Sequence, residues 1–145
     1  MIIAYFDSSL LMSILLEEDR ECEAKNIWES YKIKISSILL KIETNISLLR
    51  FYNRQENKYD EIWLANKKVK LRELLGDVFL HDITEEFAES MIRNSSLAKC
   101  KSLDAIHLAT ALNAQSNPNN KSICICSFDK NMLSIAKQLG FKTFG

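Results

Sequence analysis

The chain has 145 residues, of which 47% are apolar, so it can enclose one hydrophobic core, and we expect a single domain over residues 1–145. Its 19 basic and 19 acidic residues give no formal net charge, which disfavours a nucleic-acid partner held by overall electrostatic attraction. With three glycines, one proline and no glycine-rich nucleotide-binding motif, a phosphate-binding loop is also disfavoured.

The sequence alternates between strand-like and helix-like segments. In chain order these are a strand at 2–6, helices at 10–18 and 20–31, a strand at 32–35, helices at 37–52 and 56–75, a strand at 78–80, helices at 84–93 and 102–114, a turn at 117–120, a strand at 122–126, a helix at 129–139 ended by Gly140, and a strand at 141–144. This order predicts an α/β fold, with a central parallel sheet covered by helices on both faces. The helices at 37–52 and 56–75 are expected to form a hairpin.

Positive charge is concentrated in the middle of the chain. Residues 30–72 contain ten basic and four acidic residues, whereas residues 1–29 contain two basic and seven acidic ones. The basic stretch is therefore either a surface for a polyanion or the solvated face of a helix that carries Lys67, Lys68, Lys70 and Arg72.

The four cysteines have no C-x-x-C or zinc-finger spacing and follow no signal peptide, so we expect them to be reduced. Cys124 and Cys126 are two residues apart in a predicted strand and so share one face, as small core residues. The N-terminus lacks a basic leader, and the longest uncharged stretch, residues 105–120, is rich in polar residues. We therefore expect a cytoplasmic protein with no membrane association.

Two acidic residues follow predicted strands. Asp7 comes immediately after the first strand, and Asp129 comes three residues after the strand that ends at Cys126. Ligands of parallel α/β sheets collect beyond the carboxyl ends of the strands. We therefore expect both carboxylates at the same edge of the sheet.

Two further acidic residues interrupt apolar helical faces. The expected inward stripe of the helix at 37–52 consists of Leu39, Ile42, Ile46 and Leu49. Glu43 falls within this stripe, where burial of a lone carboxylate is costly. Asp104 lies in the first turn of the helix at 102–114, where the helix dipole stabilises an acid with or without a function.

Four carboxylates at one edge require a compensating cation, because each close pair repels by about 4 kcal/mol at 4 Å and an effective dielectric constant near 20. No His or Cys residues have zinc-ligand spacing, and all-oxygen ligands favour a hard cation, Mg²⁺ or Mn²⁺. Such an ion neutralises phosphate oxygens and activates water. The pattern therefore favours an enzyme that acts on phosphates.

Four segments carry a family resemblance: IAYFDSSLL at 3–11, SSILLKIET at 36–44, SLDAIHLA at 102–109 and SFDK at 127–130. They resemble the four motifs of a PIN domain. Within that superfamily, a single compact domain of this length resembles a VapC-type toxin, the ribonuclease half of a toxin–antitoxin pair. The resemblance extends from about residue 2 to residue 144, and the Asp-Ala-x-His-Leu-Ala stretch is its most specific part.

The resemblance implies a site and an activity. The implied catalytic residues and metal ligands are Asp7, Glu43, Asp104 and Asp129. Ser8 and Ser127 would support a metal-bound water or a ligand carboxylate. The implied activity is Mg²⁺- or Mn²⁺-dependent hydrolysis of RNA phosphodiester bonds by a homodimer, which a co-encoded antitoxin silences. Where similar toxins carry Arg before the Asp-Ala motif, this chain has Lys101, a point charge without the bidentate fork of Arg.

Other polar and aromatic residues are expected to be structural. His107, three residues after Asp104, is expected to be a hydrogen-bonded core histidine rather than a general base or a residue that orients Asp104. His81 is expected in a loop. Four aromatic residues are expected to pack in the core or at a protein interface rather than against RNA bases: Trp28, Phe51, Tyr52 and Trp63.

Two other functions stay open. Asp7 would be the nucleophile of a phosphatase, although haloacid-dehalogenase-type enzymes need a second Asp two residues further on, where this chain has Ser9. Alternatively, the acids belong to a non-catalytic module that binds an ion or a basic protein tail. A ribonuclease toxin arrests growth when it is expressed without its partner, whereas a binding module leaves growth undisturbed.

Overall fold

The fold is built on a parallel β-sheet. The computed structural model describes residues 2–119 and 122–144. The strands in this part of the chain are β1 (Ile2–Phe6), β2 (Ile33–Ser37), β3 (Phe79–His81), β4 (Ser122–Cys126) and β5 (Lys142–Phe144). They lie in the order β3-β2-β1-β4-β5, and every neighbouring pair is parallel.

Helices connect the strands and cover both faces of the sheet. They are α1 (Ser8–Leu15), α2 (Glu21–Ser30), α3 (Ile38–Arg54), α4 (Glu61–Gly76), α5 (Glu85–Ile92), α6 (Ser102–Gln115) and α7 (Lys130–Gln138), with a 3₁₀ segment at Ser95–Lys99. The predicted α/β architecture is therefore confirmed. Among the described residues, no helix is long and apolar enough to span a membrane.

Alternation of side chains along the strands divides the core into two layers. Ile3 and Tyr5 of β1 face the layer formed with α5, α6 and α7. Ala4 and Phe6 face the other layer, formed with α1 to α4. Cys124 and Cys126 lie in this second layer as expected, and all four cysteines are free.

Polar caps set the ends of the helices. Asp7 caps α1, Ser37 caps α3 and Thr84 caps α5, each through a side-chain oxygen that accepts from backbone N–H groups. α4 begins five residues later than predicted, because Glu56 and Asn57 adopt left-handed φ angles of 43° and 65° that a helix does not tolerate.

Smaller predictions have mixed outcomes. Gly140, with φ of 90°, follows α7 as predicted. His81 is the last residue of β3, so its expected loop position is wrong. Residues 116–119 form a turn, and Asn120 lies outside the described residues. Trp28 packs in the core against Phe6, with ring centroids 4.8 Å apart.

The predicted inward stripe of α3 is wrong for three of its four members. Leu39 is buried, but Ile42, Ile46 and Leu49 are 50%, 43% and 41% exposed. The residues that α3 buries besides Leu39 are Leu40, Thr44 and Leu48. α3 carries two apolar stripes at helical spacing, and the fold turns the second of them towards the sheet.

Two lysines of α4 fix the C-terminal end of α1. Lys67 Nζ donates to the carbonyl oxygen of Leu15 at 2.8 Å, and Lys70 Nζ donates to that of Ile14 at 3.4 Å. The last carbonyl groups of a helix have no partner within the helix, so cations at this position are favourable.

Candidate functional site

Two parallel strands bring the first and last sequence motifs together. β1 and β4 are neighbours, with Phe6 paired to Cys126, so both strands end at the same edge of the sheet. The backbone N–H of Asp7 donates to the carbonyl oxygen of Cys126 at 3.4 Å. The expected common edge for the residues that follow these two strands is therefore confirmed.

The carboxylate of Asp7 is held by hydroxyl groups on both sides. Its Oδ1 accepts from Ser9 Oγ at 2.7 Å and from Ser9 N at 3.1 Å, and its Oδ2 accepts from Ser127 Oγ at 2.5 Å. The serine oxygens accept in turn, Ser9 Oγ from Phe128 N and Ser127 Oγ from Asp129 N, each at 2.9 Å. This network locks the segment after β1 to the segment after β4.

The carboxylate of Asp7 is buried in a place where its charge is poorly solvated. Asp7 is only 5% exposed, and burial raises the pKa of its carboxyl group, while the hydrogen bonds from Ser127 and Ser9 work in the opposite direction. A buried carboxylate costs free energy that an apolar side chain at the same place does not.

Glu43 and the core are connected through His107. Tyr5 Oη lies 2.7 Å from His107 Nδ1, and His107 Nε2 lies 2.5 Å from Glu43 Oε1. Burial raises the pKa of Tyr5 far above its ordinary value, so the hydroxyl stays protonated and donates to Nδ1. Nε2–H then donates to the carboxylate of Glu43.

Asp104 and Asp129 complete the acidic edge. Burial raises the pKa of Asp104, the negative charges of Asp129 and Glu43 raise it further, and His107 lowers it. Asp129 caps α7, its Oδ1 accepting from the N–H groups of Asn131 at 2.9 Å and Met132 at 3.2 Å. The carboxylates of Asp129 and Glu43 are thus close enough to that of Asp104 to interact with it electrostatically.

Ser8 and Ser127, the two serines expected to support the site, have different surroundings in the structure. Ser127 donates a hydrogen bond to the Asp7 carboxylate, whereas the side chain of Ser8 makes no hydrogen bond with the described residues. The second hydroxyl that donates to Asp7 belongs to Ser9. His107 is a hydrogen-bonded core residue as expected, but its carboxylate partner is Glu43. Sequence reasoning missed Ser9 and Tyr5 as parts of the site, although both belong to the first motif.

The comparison with protein families identifies the fold. The PIN domain family matches residues 4–138. The chain belongs to the PIN domain family. It is also similar to a solved structure from Pyrobaculum aerophilum, "Crystal structure of PAE2754", with a TM-score of 0.59 and 15% identity over 99% of this chain and 92% of that chain. No curated protein sequence matches the chain.

PIN domains are generally metal-dependent nucleases that bind divalent metals, so membership of this family supports a hydrolase activity. Its four acids offer the all-oxygen donor set that suits a hard cation. Among the described residues, the carboxylate of Asp104 accepts no hydrogen bond, and Asp129 Oδ2 and Glu43 Oε2 are also without a hydrogen-bond partner. The donor chemistry of this PIN domain therefore fits a divalent ion.

The spacing of these acids differs from that of a ready-made metal centre. Within residues 2–119 and 122–144, no three His, Cys, Asp or Glu side chains come close enough together to hold a metal ion. In this PIN domain, the carboxylates of Asp7 and Glu43 are fixed by hydrogen bonds, whereas that of Asp104 accepts no hydrogen bond from a described residue.

Proposed function

We propose that this PIN domain is an endoribonuclease that hydrolyses RNA phosphodiester bonds with the help of Mg²⁺ or Mn²⁺. The observation that carries the proposal is the buried Asp7 at the common end of β1 and β4, together with Asp104, Asp129 and Glu43, of which Asp104 interacts electrostatically with the other two. Burial of a carboxylate such as that of Asp7 costs free energy, and ionisable groups with pKa values shifted in this way are typical of functional sites. Membership of a family of nucleases supports the same conclusion.

The residues of the site would have two kinds of role, to orient the carboxylates and to hold the cation. Ser9 and Ser127 hold the Asp7 carboxylate in one orientation, and His107 holds that of Glu43. Asp7, Glu43, Asp104 and Asp129 would hold the cation. When bound, the cation activates water for attack and neutralises negative charge on the phosphate.

Cleavage of a labelled single-stranded RNA by the purified chain tests this proposal. We expect cleavage with Mg²⁺ or Mn²⁺, none in excess EDTA, and none by Asp104→Asn, which keeps the shape of the side chain but loses its charge. Glu89→Gln, which neutralises an exposed acid on α5, is the matched control and should cleave as the wild type does. Full cleavage in EDTA, or by Asp104→Asn, would overturn the proposal.

We further propose that the protein is the toxin of a type II toxin–antitoxin pair and acts in the cytoplasm as a homodimer that a cognate antitoxin protein inhibits. The exposed stripe of Ile42, Ile46 and Leu49 supports a protein partner, since apolar surface of this kind is typical of interfaces. Expression of the chain alone should arrest growth, and Asp104→Asn should relieve the arrest. Undisturbed growth at verified expression contradicts the toxin role.

A further inference from the structure

A surface groove with two adjacent sections lies along α1, and its second section also borders α3. Its first section, of about 650 Å³, lies beside Ser9 and Phe128, and its second, of about 420 Å³, ends at Arg50 and Arg54. Met12 and Glu18 line both sections, so the two are adjacent. We call this the α1–α3 groove.

One end of the α1–α3 groove lies at the candidate active site. Ser9 donates to Asp7, and Phe128 directly precedes Asp129. On the α3 side, Glu43, Arg50 and Arg54 are separated by seven and four residues and therefore share one face of the helix. With a rise of 1.5 Å per residue, the two arginines lie about 10 Å and about 16 Å from Glu43 along the helix axis.

Arg50 and Arg54 have no ionic partners of their own. Both are exposed, and neither forms a hydrogen bond or salt bridge with any described residue. Arg20, the other arginine of the groove, differs, because its Nε and Nη2 donate to Glu23 and its guanidinium carbon lies 3.7 Å from the ring centroid of Phe128. A free guanidinium offers the planar donor fork that suits a phosphate.

In the second section of the α1–α3 groove, acidic and basic residues lie on opposite sides. Its acid, Glu18, belongs to the turn that follows α1, whereas the α3 wall carries Ser47 and Gln55 besides the two arginines. A polyanion in the second section would therefore lie against α3 and away from α1.

We propose that Arg50 and Arg54 bind neighbouring backbone phosphates of a single-stranded RNA that extends from the acidic edge along the α1–α3 groove. The inference rests on the proposed ribonuclease function, since it names the path of the substrate at that same site. Contacts of this kind position the strand and carry no base specificity.

A second basic cavity provides a matched control. Lys68 and Arg72 line a pocket of about 400 Å³ between α3 and α4. Like Arg50 and Arg54, they are exposed, lie four residues apart on one helix and have no ionic partner among the described residues. Lys41 and Asn45, which α3 contributes to this pocket, lie on the opposite side of α3 from Glu43 and Arg50.

The test measures binding of a fluorescent single-stranded RNA of about twelve nucleotides at several salt concentrations, with Asp104→Asn in every variant to prevent cleavage. In Arg50→Gln/Arg54→Gln we expect at least tenfold weaker binding at low salt. The slope of log K against log salt should become shallower by about 1.4, the value for two phosphates on a single strand. Lys68→Gln/Arg72→Gln should keep both the affinity and the slope, and thermal melting verifies that each variant is folded.

Arg50→Lys/Arg54→Lys should restore the salt slope but not the whole affinity, because lysine keeps the charge and lacks the fork. Equal affinity and slope in Arg50→Gln/Arg54→Gln and in its parent would overturn the inference, even if the wild type cleaves RNA, and would leave the groove to a protein partner. Equal losses in the two glutamine variants, or no RNA binding by the parent, would overturn it as well. If RNA binding depends on the arginines but no RNA is cleaved, the proposed function fails and the inference stands.

Discussion

His107 Nε2 lies 2.5 Å from Glu43 Oε1, which joins residues that are 64 positions apart in the sequence. The other ring nitrogen accepts from the fully buried hydroxyl of Tyr5, so one imidazole connects the core to the acidic edge. Glu43 is thereby held at its position before any cation or substrate arrives. In a site of mutually repelling acids, such fixation lowers the cost of assembling the ligands.

We expect His107→Ala to lower the free energy of unfolding by about 3 kcal/mol, since it leaves a cavity and an unsatisfied Tyr5 hydroxyl in the core. Tyr5→Phe removes only the hydroxyl and should cost about 1–2 kcal/mol. The double variant should cost less than the sum, because the two residues share a hydrogen bond. Urea unfolding measures all three values, and strict additivity would show that the pair is not coupled.

Asp7→Asn should abolish cleavage and raise the free energy of unfolding at neutral pH by on the order of 1 kcal/mol. The pKa of Asp7 is raised in the folded state by burial, so the wild type loses stability as the pH rises through that pKa, whereas the uncharged amide does not. The difference in free energy of unfolding between Asp7→Asn and the wild type should therefore increase with rising pH. Asp19→Asn, at an exposed acid outside the network, is the control and should show no such widening in thermal melts from pH 4 to 8.

Mg²⁺ or Mn²⁺ should stabilise the wild type against thermal unfolding. A ligand that binds only the folded state contributes about 2.7 kcal/mol at one hundred times its Kd. Asp104→Asn should lose most of this metal-induced stabilisation. The carboxylate of Asp104 accepts no hydrogen bond from the described residues, so both of its oxygens are available to coordinate a cation. Equal metal-induced shifts in the wild type and Asp104→Asn would remove Asp104 from the metal site.

Thiol reagents should modify the cysteines in order of exposure. Cys22 is exposed and should react first, whereas Cys100 is half-buried with a pKa raised by burial and should react slowly. The Cys126 side chain lowers the pKa of Cys124 to about 6, yet Cys124 is only 4% exposed. Cys124 and Cys126 should therefore react only after denaturation, and rapid modification of either in the native protein would contradict this structure.

Ile42→Lys/Ile46→Lys should change the free energy of unfolding of the monomer by less than about 1 kcal/mol, because both side chains are exposed. Leu48→Ala, on the buried side of the same helix, should cost about 3 kcal/mol. Size-exclusion chromatography with light scattering then measures whether the lysine variant loses a dimer that the wild type forms. A large loss of monomer stability in the lysine variant would place this stripe in the core.

Local sequence patterns were sufficient to predict the order of the elements, the parallel sheet and the common edge for Asp7 and Asp129, because these follow from strand-then-cap patterns within a few residues. The burial of α3 was not predictable in the same way. Its sequence carries two apolar stripes, and only the packing of α1 and α4 against it decides which one is buried. The contacts of His107 with Glu43 and with Tyr5 could not be predicted from the sequence either, because they depend on how three separate elements are arranged in space.

Lys67 and Lys70 belong to the basic stretch at residues 30–72, but both make contacts within the fold. Both donate to carbonyl oxygens at the end of α1, so each ammonium group has a partner within the folded protein. Two of the ten positive charges between residues 30 and 72 therefore cap a helix. Neutralising them would remove these donors from the helix that also carries Ser9, whose hydroxyl donates to Asp7.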